Sequence, residues 1–417
     1  MAIRSTVHQT GADAVTELLR LSPPDDDRRS IPCACGRVAR YEGMRSRPIL
    51  TVVGWARTER PYYLCPVCHT GQFPADVELD IDKTDFSPGV RRMLATVGGV
   101  APFAQGRDQM RLLAGLEITA KTVERTAESI GQDIEIRQQK DIQRAKQLSL
   151  PAIAGPSIRY LYIQMDGTQI FMVKTETEGR TGRTPGQFAR TRECKLGAVF
   201  TQTTVDDKGR PVRDEGSTTY VGAIETAEEF GLRIYTEAWN RGWERATVRV
   251  VMGDGSHWIW NNADQHFPGA IQIVDLYHAR EHLWDLARKL HPADEAAQKR
   301  GLMHKLDWLE NGRIEKLATA LRKLADAEQN CELAIAIRIE AEYFDSNRDR
   351  MRYPEFCKKN LFVGSGVIEA GCKTVIGSRL KQSGMFWTVR GANAIIALRC
   401  CLLNGELEDY WAARRIA

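Results

Sequence analysis

The sequence predicts an α/β chain whose strands deliver acidic residues, preceded by a cysteine-rich ribbon and a pair of helices. Three patterns predict it. Short apolar runs at 157–275 alternate with helical patterns, and several end on an aspartate beside a glycine or a helix start. Four of the ten cysteines crowd into Cys33–Cys68. Helical periodicity dominates 87–146 and 278–411. At 417 residues the chain has room for two to four domains. Its 43% apolar and 27% charged residues are globular proportions. Lys and Arg number 58 against 54 Asp and Glu, a net charge of +4, which excludes a uniformly basic coat. Any surface for a polyanion must come from local clustering. No run of about 18 charge-free apolar residues is present to cross a membrane. The first twenty residues lack the apolar core of a secretory leader, so the expected location is the cytoplasm.

Residues 1–30 read as an N-terminal extension, one amphipathic stretch and then the linker SPPDDDRR. Residues 31–82 carry Cys33-x-Cys35 and Cys65-x-x-Cys68, with Gly36 and Pro66 where tight turns need them. Two such knuckles can set four thiolates tetrahedrally around a structural Zn²⁺. A ribbon this poor in apolar residues needs such a staple. His69 is a possible substitute ligand. Arg37, Arg40, Arg45 and Arg47 suit phosphate contact and a solvated face equally.

Residues 83–150 read as a helix-turn-helix. Ser87 and Pro88 open a helix, and Thr119 caps a later one. Leu112, Leu113, Leu116, Ile118, Val123 and Ile130 are spaced to bury one face. Lys121, Thr122 and Arg125 then stand on the exposed first turns of a recognition helix. Residues 88–146 hold ten basic against seven acidic residues.

The next stretch reads β, β, β, helix, β, short helix, β, helix. RYLYIQMDGTQIFMVK reads as strand–turn–strand with Asp166 at the strand end and Gly167 turning back. TVRVVMGDGSHWIW delivers Asp254 between two glycines, with Ser256 as the next cap. AIQIVDLYHAREHLW delivers Asp275 and then His278. Thr226-x-x-Glu229 is a capping box before the intervening helix. Acids at the carboxyl ends of strands stand where open α/β sheets place their sites. Later, GSGVIEAGCKTVIGSRLKQSGMFW is a Gly-rich entry into a helix bearing Glu369. Carboxylates from several elements are what a pair of divalent cations needs.

At these residues the chain resembles a bacterial insertion-sequence transposase of the DDE type, in the Kra-type family of the wider Mutator-like group. The resemblance rests on MDGT, GDGSHWIW, DLYHAREHLW, VGSGVIEAGCKTVIGSRLKQSGMFW and LRCCLLNGELEDYW, and with the ribbon and ITAKTVERTAESIG covers about 30–412. It implies an RNase H-like core, whose first part is 151–291 and whose C-terminal helices with the catalytic Glu are 361–417. It also implies an all-α insertion at 292–360. Asp166, Asp254 and Glu369 would be the catalytic acids and would hold two Mg²⁺ (or Mn²⁺) per active site. Asp275-x-x-His278 matches an accessory signature. Asp275 would be a fourth ligand or would hold the His278 imidazole. The implied activity is metal-dependent DNA cleavage and strand transfer during transposition. The implied partner is double-stranded DNA, as element ends and target, bound by a homo-oligomer near the bacterial nucleoid.

Two basic stretches suit phosphate. Residues 174–195 hold six basic and three acidic residues, including Arg180, Arg183, Arg190 and Arg192. Residues 370–415 hold seven and three, including Lys373, Arg379 and Lys381. Trp258, Trp260 and Trp387 read as core before base-stacking platforms. Two other readings stand beside the transposase: a non-catalytic DNA-binding protein on an inactive core, and a nuclease that only hydrolyses.

Overall fold

The computed structural model describes residues 2–21, 28–182 and 187–414. It divides into two compact units, residues 1–134 with 405–417, and residues 135–404. No helix among the described residues is long and apolar enough to cross a membrane.

The first unit opens with α1 (Ala2–Leu21), followed by β1 (Ser30–Pro32), β2 (Val38–Thr51), β3 (Gly54–Leu64) and β4 (Gly71–Gln72). The four strands form one antiparallel sheet in sequence order. The β2–β3 hairpin is long and solvated along much of β2, and its base is closed by Ile31, Ala39 and Tyr63 between Cys33 and Cys65. A short α2 (Pro74–Glu78) follows, then α3 (Pro88–Val100), α4 (Phe103–Gln109) and α5 (Ala120–Lys146). Ser87 Oγ caps α3 by accepting from Val90 N–H, and Thr119 Oγ1 accepts from Thr122 N–H at the start of α5. The last helix, α16 (Leu407–Arg414), belongs to this unit and carries Arg414, which pairs with Asp80 at 3.0 Å and Asp133 at 2.6 Å.

One expectation fails here. Leu112 and Leu113 are each 72% exposed. The five residues Met110–Ala114 wind as a π-turn continuing α4, which shifts the helical phase. Met110 takes their place in the core, beside Leu94 and the expected Leu116 and Val123.

The second unit is a mixed α/β layer. Its strands are β5 (Ile158–Phe171), β6 (Thr191–Val205), β7 (Pro211–Arg213), β8 (Thr219–Ala223), β9 (Ala246–Gly253) and β10 (Ile271–Val274). The spatial order is β10-β9-β5-β6-β7, with β8 also paired to β6. β5, β9 and β10 run parallel, and β6 is antiparallel to β5, β7 and β8. Tyr160 to Met165 are buried on β5, as a central strand covered on both faces requires. The helices are α6 (Ala227–Asn240), α7 (His257–His266), α8 (Leu276–Leu290), α9 (Glu295–Glu310), α10 (Ile314–Ala327), α11 (Cys331–Ser346), α12 (Tyr353–Lys358), α13 (Gly366–Gly371), α14 (Ser378–Leu380) and α15 (Val389–Leu403). Between α13 and α14, Cys372–Gly377 form a π-turn. The Thr226/Glu229 capping box is present at α6.

From 158 to 290 strands and helices alternate as expected, except that four strands rather than three precede α6 and that the first strand is longer. β5 does not turn back at Gly167. It continues to Phe171, paired with β6 at Asp166↔Leu196 and Gly167↔Lys195. A Cβ at Gly167 would lie 2.5 Å from the Glu193 carboxylate, the mobile end of a long side chain on the neighbouring strand.

Close packing sets a test of the helical part of the first unit. A Cβ on Gly98 of α3 would lie 2.6 Å from the Cβ of Ala127 on α5. Overpacking of this kind costs about 1–3 kcal/mol. Gly98→Val is expected to lower the unfolding free energy of the full chain by that amount, seen as a lower urea midpoint, and an unchanged midpoint would show that the two helices are not in this contact.

Candidate active site and cysteine centre

The acids converge through strand register. β5 and β9 pair in parallel up to Gln164↔Met252. Asp166 and Asp254 each lie two residues beyond that pair, so neighbouring strands deliver them at the same edge. β9 ends at Gly253, and Asp254 begins the loop into α7. Its Oδ1 accepts from Ser256 N–H at 2.8 Å, and its other oxygen makes no hydrogen bond among the described residues. Ser256 holds the cap position of α7 without a side-chain cap bond.

Asp166 is half-buried on β5. Burial pushes its carboxyl above the ordinary range, and the Asp254 charge adds to this. The Cys372 thiol, which donates to Asp166 Oδ2 at 3.3 Å, works in the opposite direction. So do Gly167 N–H, donating to Oδ1 at 2.6 Å, and His278. Asp166, Asp254, His278 and Cys372 therefore share one electrostatic neighbourhood.

Glu369 lies on α13, three residues before Cys372, whose thiol meets Asp166. Its carboxylate is exposed and makes no hydrogen bond or ion pair among the described residues. α13 is seated on β5 by a buried side chain. Gln164 Oε1 accepts from Ile368 N–H at 3.0 Å, and Gln164 Nε2 donates to Gly364 C=O at 3.4 Å. Gly371 allows the seating, because a Cβ there would meet the Tyr220 ring at 2.6 Å. Gln164 was not singled out from sequence. The signal was a lone amide inside the apolar run RYLYIQM.

Asp275 departs from its expected roles. It is 1% exposed, and both its oxygens accept from backbone: Oδ1 from His278 N–H at 2.7 Å and Oδ2 from Ser365 N–H. It neither faces outward as a ligand nor holds the His278 imidazole. That ring lies 3.6 Å from a Glu281 oxygen and edge-on to His282. With Leu276 N–H donating to Val363 C=O at 2.9 Å, Asp275 fastens α8 to the segment that leads into α13.

Asp166 and Asp254 are neighbours, but the three acids do not form a gathered cation cage. Among the described residues, the cysteines alone bring three or more ligand atoms within 4.8 Å of one another. Cys33, Cys35, Cys65 and Cys68 all meet that limit, with Cys33 Sγ to Cys68 Sγ at 3.5 Å and Cys35 Sγ to Cys65 Sγ at 3.6 Å. A tetrahedral site with Zn–S near 2.3 Å has sulfur–sulfur edges of about 3.8 Å, so the donor set fits zinc. None of the four forms a disulfide. Gly36, at φ +79°, makes the first knuckle turn, and His69 N–H donates to Cys65 C=O in the second. Hydrogen bonding with Thr70 lowers the Cys68 thiol to about 6, whereas Cys35, despite the Arg37 N–H, is pushed up to about 12 by its cysteine neighbours and burial, so the thiols of the cluster shift in opposite directions.

The basic candidates separate by burial. Lys121 and Arg125 are exposed on α5, although Lys121 pairs with Glu124 at 2.6 Å. Thr122 shares a hydrogen bond with the Thr119 hydroxyl at 2.9 Å. Arg180, Arg190, Lys373 and Lys381 are exposed, and Arg192 is half-buried. Arg183 lies outside the described residues. Lys381 Nζ donates to the Thr168 hydroxyl, two residues past Asp166 on β5. Arg379 is fully buried with its guanidinium over the Trp387 ring at 5.2 Å, so it packs the interior and offers nothing to phosphate. Arg47 is likewise committed, to Asp76 at 2.9 Å and Asp85 at 3.0 Å. Trp260 and Trp387 are buried, as core residues.

No protein-family model and no curated protein matches the chain. Among solved structures, the Drosophila P element transposase strand transfer complex aligns over 82% of this chain and 83% of that one, at 9% identity and a TM-score of 0.27. A likeness that low assigns neither fold nor function.

Two predictions follow from these geometries. Gln164→Leu keeps the volume but strands the buried Ile368 N–H, which costs about 1–3 kcal/mol; a urea midpoint equal to wild type would mean the amide does not hold α13. Metal analysis of chain purified without chelator should find one zinc, absent in Cys65→Ser, and a chain devoid of zinc would remove the centre.

Proposed function

We propose that this chain is a DDE-type transposase, which binds the ends of a mobile element and catalyses DNA cleavage and strand transfer on an RNase H-like core. The observation that carries the reading is the strand register that sets Asp166 and Asp254 side by side while Gln164 and Asp275 hold the Glu369 helix at the same edge. The sheet order supports it: a long central strand, antiparallel neighbours on one side and two parallel strands on the other. The finer placement, in the Kra-type family of the Mutator-like group, rests on the sequence motifs alone.

Asp166, Asp254 and Glu369 offer hard oxygen donors that suit Mg²⁺ or Mn²⁺. Those three carboxylates would hold a pair of such ions, which would supply activation of an attacking oxygen and stabilisation of a leaving 3′-oxygen. The chain's own residues do the rest. Asp166 supplies charge from β5, and Asp254 supplies it from the loop that follows β9. Glu369 supplies it from a helix whose seat is fixed by buried hydrogen bonds. Lys381, beside Thr168, and Lys373, one turn past Glu369, are placed to meet backbone phosphates at the acid edge. The attacking group is water for cleavage and a DNA 3′-hydroxyl for joining. The cysteine centre is read as structural zinc, and α5 as the helix that reads element ends as part of a homo-oligomer on DNA.

Asp166→Asn, Asp254→Asn and Glu369→Gln should each abolish Mg²⁺-dependent cleavage and joining of DNA carrying the element's ends, with DNA binding retained. Each swap keeps shape and removes charge. A variant with wild-type cleavage would take that residue out of the site. Products cut but never joined to target by 3′-hydroxyl ends would mean a hydrolytic nuclease.

Arg125→Ala should weaken binding to the element's ends by about 1–3 kcal/mol if Arg125 reads a base. A loss equal on random DNA, with a salt slope reduced by about one, would assign it to phosphate. No change on either DNA would make the helix pair a scaffold.

A further inference from the structure

The helices between α8 and α13 reach the acid edge through Tyr343. Tyr343 lies on α11, and its hydroxyl donates to the Asp254 backbone C=O at 2.9 Å. Its ring covers the next residue, Gly255, which sits at φ +102° and where a Cβ would lie 2.5 Å from the ring edge. The ring also stacks on His282 of α8, with centroids 3.9 Å apart and planes 14° off parallel, and meets the Phe344 ring edge-on. His282 Nδ1 in turn meets the buried Glu340 carboxylate at 2.8 Å, one turn before Tyr343 on α11. Behind the tyrosine, Phe344 is fully buried and Asn347 Nδ2 donates to Tyr343 C=O at 2.9 Å. The helix therefore cannot easily slide or rotate without breaking a buried contact.

The consequence falls on Asp254. Its loop has a glycine on either side, and glycine gives backbone freedom that a ligand cannot tolerate. Two hydrogen bonds remove that freedom: Ser256 N–H to the carboxylate and Tyr343 O–H to the carbonyl. Together they fix where the second carboxylate oxygen stands. Packing alone would be served by phenylalanine. The hydroxyl is the part that reaches the acid's backbone.

We infer that Tyr343 is a positioning residue for Asp254, and that the helical segment 295–358 thereby completes the acid site. This rests on the reading of Asp254 as a metal ligand. Placement within hydrogen-bond reach matters steeply for ligand sets, since a carboxylate free to swing must be ordered when the cation binds.

The test compares Tyr343→Phe with wild type and Asp254→Asn in the full chain. Mn²⁺ affinity is measured by calorimetry on the DNA-free protein, and the Mg²⁺ dependence of cleavage on end-bearing DNA. Tyr343→Phe should bind Mn²⁺ about 3- to 10-fold more weakly and need correspondingly more Mg²⁺ for half-maximal cleavage. Its rate at saturating Mg²⁺ and its DNA affinity should stay near wild type. A merely structural role would lower the melting temperature without this split. If Asp254→Asn loses Mn²⁺ and cleavage while Tyr343→Phe matches wild type in both, the inference fails and the proposed function stands. If Asp254→Asn itself matches wild type, the metal-site reading fails and the inference falls with it. Gly255→Val, which drives a side chain into the Tyr343 ring, should weaken Mn²⁺ binding at least as much, and normal binding there would also overturn the contact.

Discussion

The parallel pairing of β5 with β9 is the constraint on which the candidate site depends. Register in a sheet is all-or-none, because a slip of one residue sends every side chain to the other face. Tyr162↔Val250 and Ile163↔Val251 are buried on both strands, so hydrophobic burial fixes the register. Asp166 and Asp254 inherit it. Two carboxylates are brought together by the packing of the apolar residues before them.

The remaining pieces come from far along the chain and are held by polar ties inside the fold. Gln164 reaches residue 368, Asp275 reaches residue 365, and Tyr343 reaches residue 254. Buried polar groups are costly unless satisfied, and each of these is satisfied by a backbone group of another segment. Such ties give orientation that apolar contact cannot, because hydrogen bonds have direction. The π-turn at Cys372–Gly377 adds to this: it follows Glu369 directly and sets Cys372 against Asp166. The cysteine ribbon solves a different problem. Its small apolar cluster closes only the base of the sheet, and four converging thiols stand where a larger core would otherwise be needed.

Much of this was legible in the sequence, for reasons that differ by element. The strand–helix alternation was readable because apolar runs bounded by Gly and Asp are local signals, and Thr119, Ser87 and the Thr226/Glu229 box sit where their caps form. The cysteine knuckles were readable from spacing alone. Asp275 was misread because a strand-end acid and an N-cap look alike in sequence; only its burial and the distant Ser365 N–H distinguish them. Gly167 was misread as a turn because its partner, Glu193, lies across a strand pair. Leu112 and Leu113 were misplaced because a π-turn breaks the 3.6-residue phase that the pattern assumes. Arg379 illustrates the limit of charge counting, since a guanidinium stacked on a buried tryptophan contributes to no surface. Gln164 and Tyr343 act only through tertiary contact and leave almost no local trace.

The central claim is that Asp166, Asp254 and Glu369 hold divalent cations at one edge of the sheet. Anomalous diffraction from crystals of the full chain soaked in Mn²⁺ tests it most directly. The account predicts Mn²⁺ density bounded by those three carboxylates, with Asp275 outside its coordination and still capping α8. Ordered Mn²⁺ elsewhere with none between the three acids, or Asp275 turned into the coordination shell, would contradict it.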